Sequence, residues 1–250
     1  MRSYFRCVNF LKSKKENTAM DVAAKTAFLR RIPLLHLLSD TEIGCLAASA
    51  QFEQAKRFQF IYRPNDPAEA LYFLCSGRVK LGTYAEGQRE IIKDLLRSES
   101  VFGESALMGE RTRKEFAQVL SQKAEFLVVS YASIAPLLHQ NPHFILGCLQ
   151  HINHRLRCVE NRLAQLLVKD ARKRIIEFLL DLAGKEGMQV GYETLVRDFF
   201  PQQEIANITG TSRQTVTAVL NDLRKSNLIY FNRHSMLIRD LSRLAMTSEV

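Results

Sequence analysis

The sequence predicts an α+β chain of two folded parts joined by a long helix. Three observations carry that prediction: short β-rich runs broken by turn residues between Phe58 and Ser130, a heptad of apolar residues after Asn141-Pro142, and a helix–glycine–helix pattern followed by a hairpin signal near the carboxy terminus. At 250 residues the chain suits two compact domains with a connector. Hydrophobic residues make up 46% and charged residues 24%, which allows a core in each domain and argues against wholesale disorder.

Residues 1–27 are basic and polar without a sustained period, and they read as a flexible tail. Arg6 and Lys14-Lys15-Glu16 deny that stretch the continuous apolar centre of a signal peptide. From Phe28 to Leu46 apolar residues recur at helical spacing, and Ser39-Asp40-Thr41-Glu42 supplies capping chemistry for a second short helix. The β-rich part follows: Pro64-Asn65-Asp66-Pro67 is a turn, Ala70 to Cys75 a strand, and Ser76-Gly77 turns into Arg78 to Tyr84. Glu86-Gly87 then allows a hairpin into Arg89 to Leu96. Strands at this spacing predict a barrel or roll, so residues 28–140 form the first domain.

Ile145, Leu149, Ile152, Leu156, Val159, Leu163 and Leu166 step alternately by four and three, which is a coiled-coil seam. With Leu149 at position a, Arg155 falls at g and Glu160 at the next e, placed to pair across two parallel helices. The competing reading is a helix lying on its own barrel. Seven maintained seam positions favour a second copy of the chain, so residues 141–169 are expected to be a coiled-coil dimerisation helix. Asp170 then caps a new helix with the apolar face Ile175, Ile176, Phe178, Leu179 and Leu182, opening a domain over 170–250 that ends in a hairpin around Asn232-Arg233-His234.

Within that domain a helix from Gln202 turns Ile205 and the small Ala206 inward, where a second helix must cross closely. Gly210 makes the turn, since glycine takes the left-handed conformation without steric cost. Thr211-Ser212 caps the second helix, which faces Val216, Val219 and Leu220 to the core and Arg213, Gln214 and Thr217 outward. Those three side-chain types reach base edges in a major groove: arginine forks to guanine, and glutamine pairs with adenine. Gln203, Ser212, Lys225, Arg233 and His234 are the expected phosphate contacts, which set position and not sequence. An ordinary helical hairpin would explain Ala206 and Gly210 but gives no reason for that outer face.

Net charge is +9, with residues 1–27, 28–170 and 171–250 contributing +4, +3 and +2. This permits an acidic partner such as double-stranded DNA without selecting it. The longest apolar stretch, Phe126 to Leu138, is interrupted by Ser130, Ser133 and Pro136 and is short for a bilayer, so no membrane partner and a cytoplasmic location are expected. The five cysteines, Cys7, Cys45, Cys75, Cys148 and Cys158, lack paired metal-site spacing and are expected to be reduced and mostly buried. His139, His143, His151 and His154 are close in sequence. The heptad puts the last two at outer positions c and f, so surface or barrel-facing roles outweigh a metal or haem site. No Ser-His-Asp order, H-E-x-x-H or P-loop marks an enzyme.

Taken together, Ser76-Gly77, the run Phe102-Gly103-Glu104-Ser105-Ala106-Leu107, the long helix, and Gln203-Glu204-Ile205-Ala206 through Gly210-Thr211-Ser212-Arg213-Gln214-Thr215-Val216 make the chain resemble the cyclic-AMP receptor protein / fumarate-nitrate regulator (CRP/FNR) family of bacterial transcription factors over about residues 28–240. The resemblance implies a jelly-roll-like double-stranded β-roll of the cyclic-nucleotide-binding-domain type, a dimerising helix, and a winged helix-turn-helix on a two-fold symmetric operator, with RNA polymerase as a further partner. By the same resemblance Gly103, Glu104 and Arg113 mark an effector pocket. Lys114-Glu115-Phe116 stand where small residues would admit a cyclic phosphate, so a cyclic nucleotide is disfavoured and the effector is left open. Arg113 is then expected as a solvated loop residue. An iron–sulfur cluster, held in one branch of the family by clustered amino-terminal cysteines, is not expected from Cys7 alone. Many members carry Arg-Glu and a second arginine one turn on; here Arg213-Gln214 is followed by Ala218, which implies a different half-site. The alternative function is a regulatory module of the same roll type that docks a protein partner and leaves DNA alone.

Overall fold

The computed structural model describes residues 20–88 and 90–247, so most of the expected tail, with Cys7, lies outside the described residues. Helical structure is present ahead of the expected boundary at residue 27. Helix α1 (Val22–Leu29) starts there because the Asp21 carboxylate accepts the Ala24 N–H at 2.7 Å, and it buries Phe28 and Leu29. Helix α2 (Asp40–Ser49) carries the full capping box, with Ser39 and Glu42 each satisfying the other's backbone N–H.

Two four-stranded antiparallel sheets build the roll. One has the order β1 (Gln51–Lys56), β8 (Lys123–Ser130), β3 (Ala70–Ser76), β6 (Val101–Phe102); the other runs β2 (Phe60–Tyr62), β7 (Phe116–Val119), β4 (Val79–Tyr84), β5 (Glu90–Leu96). The first strand lies ahead of the expected start at Phe58. Only Ala55 of β1 is buried, so its polar sequence gives no apolar alternation to read. Strand β8 is covered on both faces: Ala124 and Phe126 join the core between the sheets, while Leu127 and Val129 pack under α1, α2 and the helix that follows. That double burial explains the long apolar stretch from Phe126, which passes at Ser130 into helix α3 (Tyr131–Gln140).

Pro142 opens helix α4 (Pro142–Val168), whose 27 residues span roughly 40 Å. Helix α5 (Ala171–Glu186) starts behind Asp170, which accepts the Lys173 N–H at 2.7 Å. Beyond it lie β9 (Met188–Val190), β10 (Glu193–Arg197), α6 (Gln202–Thr209), α7 (Arg213–Lys225), β11 (Ile229–Phe231), β12 (Ser235–Ile238) and α8 (Leu241–Met246). The expected hairpin is β11–β12, and it belongs to a four-stranded sheet of order β11-β12-β10-β9. Ile175, Ile176, Leu179, Ile205, Val216 and Leu220 centre this domain's core, and Leu120 of the roll is part of the same cluster. The second domain is therefore packed against the first.

Phe102 is fully buried between the roll sheets and stacks on Tyr72 at 5.0 Å between centroids. Phe102→Ala should lower unfolding free energy by ~3–5 kcal/mol in a denaturant titration, since removing a packed ring leaves a cavity between the two sheets.

Candidate nucleic-acid interface and roll site

Helices α6 and α7 form the expected pair. Ile205, Ala206 and Thr209 face the core from α6, and Val216, Val219, Leu220 and Leu223 from α7. Between them Gly210 is left-handed at φ +65°, and a Cβ there would stand 3.0 Å from Leu166 Cδ2. The glycine thus serves two needs: the turn itself, and close approach of the turn to the last seam residue of α4. Ser212 caps α7 by accepting the Thr215 N–H at 3.0 Å.

Arg213 and Gln214 are exposed at the amino end of α7. Thr217 is half-buried, and its hydroxyl lies 2.6 Å from Gln202 Oε1, a bond that ties α7 to α6. Among the expected phosphate contacts, Gln203 is exposed and donates to Asn207 Oδ1 at 3.0 Å, while the Ser212 oxygen is engaged in the cap. Lys225 is exposed at the far end of α7, twelve residues and roughly 18 Å beyond Arg213. Arg233 and His234 are exposed in the β11–β12 turn, which Asn232 shapes by accepting the His234 and Ser235 N–H groups at 2.8 Å each.

In the roll, Gly103, Glu104 and Arg113 come together, but they are committed to the protein itself. Arg113 is 2% exposed, which corrects the expectation of a solvated loop residue. Its guanidinium donates to the Gly103 carbonyl at 2.7 Å, the Ala70 carbonyl at 2.6 Å and Ser105 Oγ at 3.0 Å, and it lies 4.6 Å from the Tyr62 ring centroid. A deeply buried cation needs such acceptors, and backbone carbonyls supply them. Glu104 is also buried, accepting from Arg155 and hydrogen-bonded to His151 at 2.9 Å. Here the structure overturns a second expectation: Arg155 is held within its own chain by Glu104, and is not free for Glu160 of another. A carboxylate out of water holds its cation far more firmly than an exposed interhelical pair.

Beyond Arg113, Lys114 pairs with Glu110, Glu115 pairs with Lys93 at 3.2 Å, and Phe116 is fully buried in β7. With Arg113 turned onto carbonyls and Glu104 onto α4, these residues do not fit a cyclic phosphate. Cys45 and Cys158 are exposed, contrary to the expectation of mostly buried thiols, because they occupy outer faces of α2 and α4. Burial raises the Cys75 thiol to about 12 and the Cys148 thiol to about 11. His151 faces the roll, whereas exposed His154 lies 3.7 Å from Cys158 Sγ. Among the described residues no group of three or more His, Cys, Asp or Glu side chains is placed to hold a metal ion. Among them, too, no helix is long and apolar enough to cross a membrane.

Sequence reasoning missed Lys80, Arg78 and Glu204, which join the two domains. Lys80 alternates with the interior residues Val79 and Leu81 of β4, a pattern that reads as a solvent-facing lysine. It is covered by a domain more than a hundred residues away.

Residues 173–247 match the family model described as the Crp-like helix-turn-helix domain, and residues 52–141 that of the cyclic nucleotide-binding domain. The global nitrogen regulator of Synechocystis sp. is 32% identical over 189 residues, covering 75% of this chain and 84% of that protein. The chain belongs to the CRP/FNR family. A CRP-like cAMP-activated global transcriptional regulator of Mycobacterium tuberculosis is 28% identical over 217 residues, covering 87% of this chain and 96% of the relative. The fold is shared with the c-di-GMP responsive global regulator CLP of Xanthomonas campestris, at a TM-score of 0.69 and 24% identity over 80% of this chain and 99% of that one. It is shared too with a CRP/FNR-family transcriptional regulator of Thermus thermophilus, at 0.65 and 22% over the same shares. As a CRP/FNR protein, this chain is a DNA-binding transcription regulator of α+β fold, and the reading as a module that only docks protein is not favoured.

Glu104 gives this CRP/FNR chain a pH signature. Burial alone would raise its carboxyl, but the His151 hydrogen bond and the Arg155 charge outweigh that and bring it down to about 2. The folded value is below the ordinary 4.5, so its stabilisation is complete above that pH and is lost as pH falls from there towards 2. Glu104→Gln should flatten the stability profile between about pH 5 and 2, removing up to ~3 kcal/mol of pH dependence in thermal or urea unfolding. An unchanged acid limb would show that Glu104 does not carry it.

Proposed function

We propose that two copies of the chain pair along α4 and present their α7 helices to successive major grooves of a two-fold symmetric operator. The observation that carries this reading is the exposure of the seam in the single chain: Leu149, Leu156, Val159 and Leu163 are each 54–57% exposed, and Ile145 and Leu166 are exposed beside them, with Ile152 half-buried. A stripe of that length and spacing is stable in water once it faces another like it.

In the paired protein Arg213 reads guanine O6 and N7, and Gln214 reads adenine N6 and N7. Thr217 adds a contact once its hydroxyl leaves Gln202. Gln203, Ser212, Lys225, Arg233 and His234 engage phosphates, so affinity falls steeply with salt. An effector of unidentified chemistry, or a partner protein, shifts the balance between two arrangements of α4 and the hinge at Asp170. The two α7 helices then reach the separation of about 34 Å that adjacent grooves require. RNA polymerase is the downstream partner and the cytoplasm the site of action. Equal operator affinity with and without every candidate effector would remove the switching part of this reading.

Selection of bound duplexes from a random pool tests the whole. Enrichment of a palindrome with half-sites one helical turn apart is the expected result; no enriched sequence would contradict it. Arg213→Ala should cost ~1–3 kcal/mol on the selected site and relax preference at one base pair. A uniform loss over all sequences would make Arg213 a phosphate contact.

A further inference from the structure

We propose that Lys80 is the positioning residue of the helix-turn-helix domain, the reading head: from strand β4 of the roll it clamps Glu204 on α6, and so fixes the angle of the head in the one of the two hinge arrangements that presents α7 to DNA. The proposal rests on the paired-operator reading above and adds what sets the spacing of the two heads.

Lys80 is 1% exposed, and its ammonium is 2.6 Å from Glu90 Oε2 in the roll and 2.9 and 3.0 Å from the two oxygens of Glu204. One cation thus holds a carboxylate from each domain, and both Lys80–carboxylate pairs are largely withdrawn from water. Such contacts are directional and weakly screened, unlike surface pairs. The same face of the second domain is gripped at other points. Arg78 of the roll lies over the Phe200 ring at 4.5 Å and donates to Glu186 at 3.1 Å and to the Asp198 carbonyl. Arg162 of α4 donates to the Ile208 carbonyl at the end of α6, and within the second domain itself Arg174 of α5 braces α6 by donating to the Thr209 carbonyl at 3.0 Å.

Helix α6 is therefore held from the roll and from α4, and braced within its own domain by α5. What this docking leaves open decides its sense: Arg213, Gln214, Arg233 and His234 are all exposed while Lys80 and Glu204 are joined. The clamp covers the back of the head and leaves the reading face clear, so it holds the head ready and does not hide it. In a dimer, two heads fixed this way match one half-site spacing. Released heads would tolerate several spacings and bind the preferred one less tightly, because ordering them is then left to the binding step.

The experiment is selection from a random duplex pool with the full-length chain, Glu204→Gln, Glu204→Leu and Glu90→Gln, scoring the half-site sequence and the distance between half-sites. Both Glu204 variants leave Lys80 paired with Glu90, and thermal unfolding verifies that each is folded. The wild type should enrich one spacing. The Glu204 variants should keep the half-site sequence, spread over several spacings, and lose roughly tenfold in affinity for the best full site. Glu90→Gln, which keeps the link between domains, should retain the single spacing. Glu204 variants that hold to the wild-type spacing and affinity would overturn the proposal, as would equal loss of spacing in Glu90→Gln. Failure of the wild type to enrich any sequence would strike the operator reading itself.

Discussion

Helix α4 has two faces that make opposite demands, and the architecture follows from reconciling them. Phe144, Cys148, His151, Arg155 and Arg162 form a stripe turned to the chain's own domains. Phe144 is buried there, and Arg155 and His151 hold the buried Glu104. The other stripe, from Ile145 to Leu166, is apolar and lies largely in water. A helix on the surface of a monomer has the reverse arrangement, with its apolar face inward. Burying a leucine-sized side chain contributes about 1.5–3 kcal/mol. Seven such positions on each of two helices can offset an association cost on the order of 4–15 kcal/mol.

The same helix touches the helix-turn-helix directly. Leu166 ends the seam against Gly210, the residue that turns α6 into α7. Four residues earlier on the helix, Arg162 bridges the Lys93 carbonyl of the roll and the Ile208 carbonyl of α6. A shift of α4 therefore reaches the turn between α6 and α7 by direct contact. The roll is tied to the same helix through Glu104, so a change at the Gly103–Glu104 turn and a change in α4 are mechanically linked. Helix α4 is thus one packed element that both domains bear upon.

The parts of this organisation that depend on local periodicity were legible from residues alone. The Asp170 and Ser212 caps and the Ala206–Gly210 pair each follow from a rule spanning a few positions and have their counterparts in the structure, and the four-three step lies on one exposed stripe of the single helix α4. Features that depend on distant covering were not. Strand β1 is polar, with only Ala55 of its residues buried. Arg113 reads as a loop arginine until Tyr62, Tyr72 and the Ala70 carbonyl close around it. Lys80 alternates like a surface residue on its strand, yet it is buried between Glu90 of the roll and Glu204 of α6. Arg155 suited a heptad pairing rule, and no local rule says that a carboxylate 51 residues earlier will claim it.

Closure of the open α4 seam by a second chain is measured directly by sedimentation equilibrium of the full-length protein. It should return twice the chain mass of 28.6 kDa at micromolar concentration, and Leu156→Lys, which places a charge in the middle of the seam, should bring it to the single-chain value. A wild-type mass of 28.6 kDa that persists as concentration rises would contradict it.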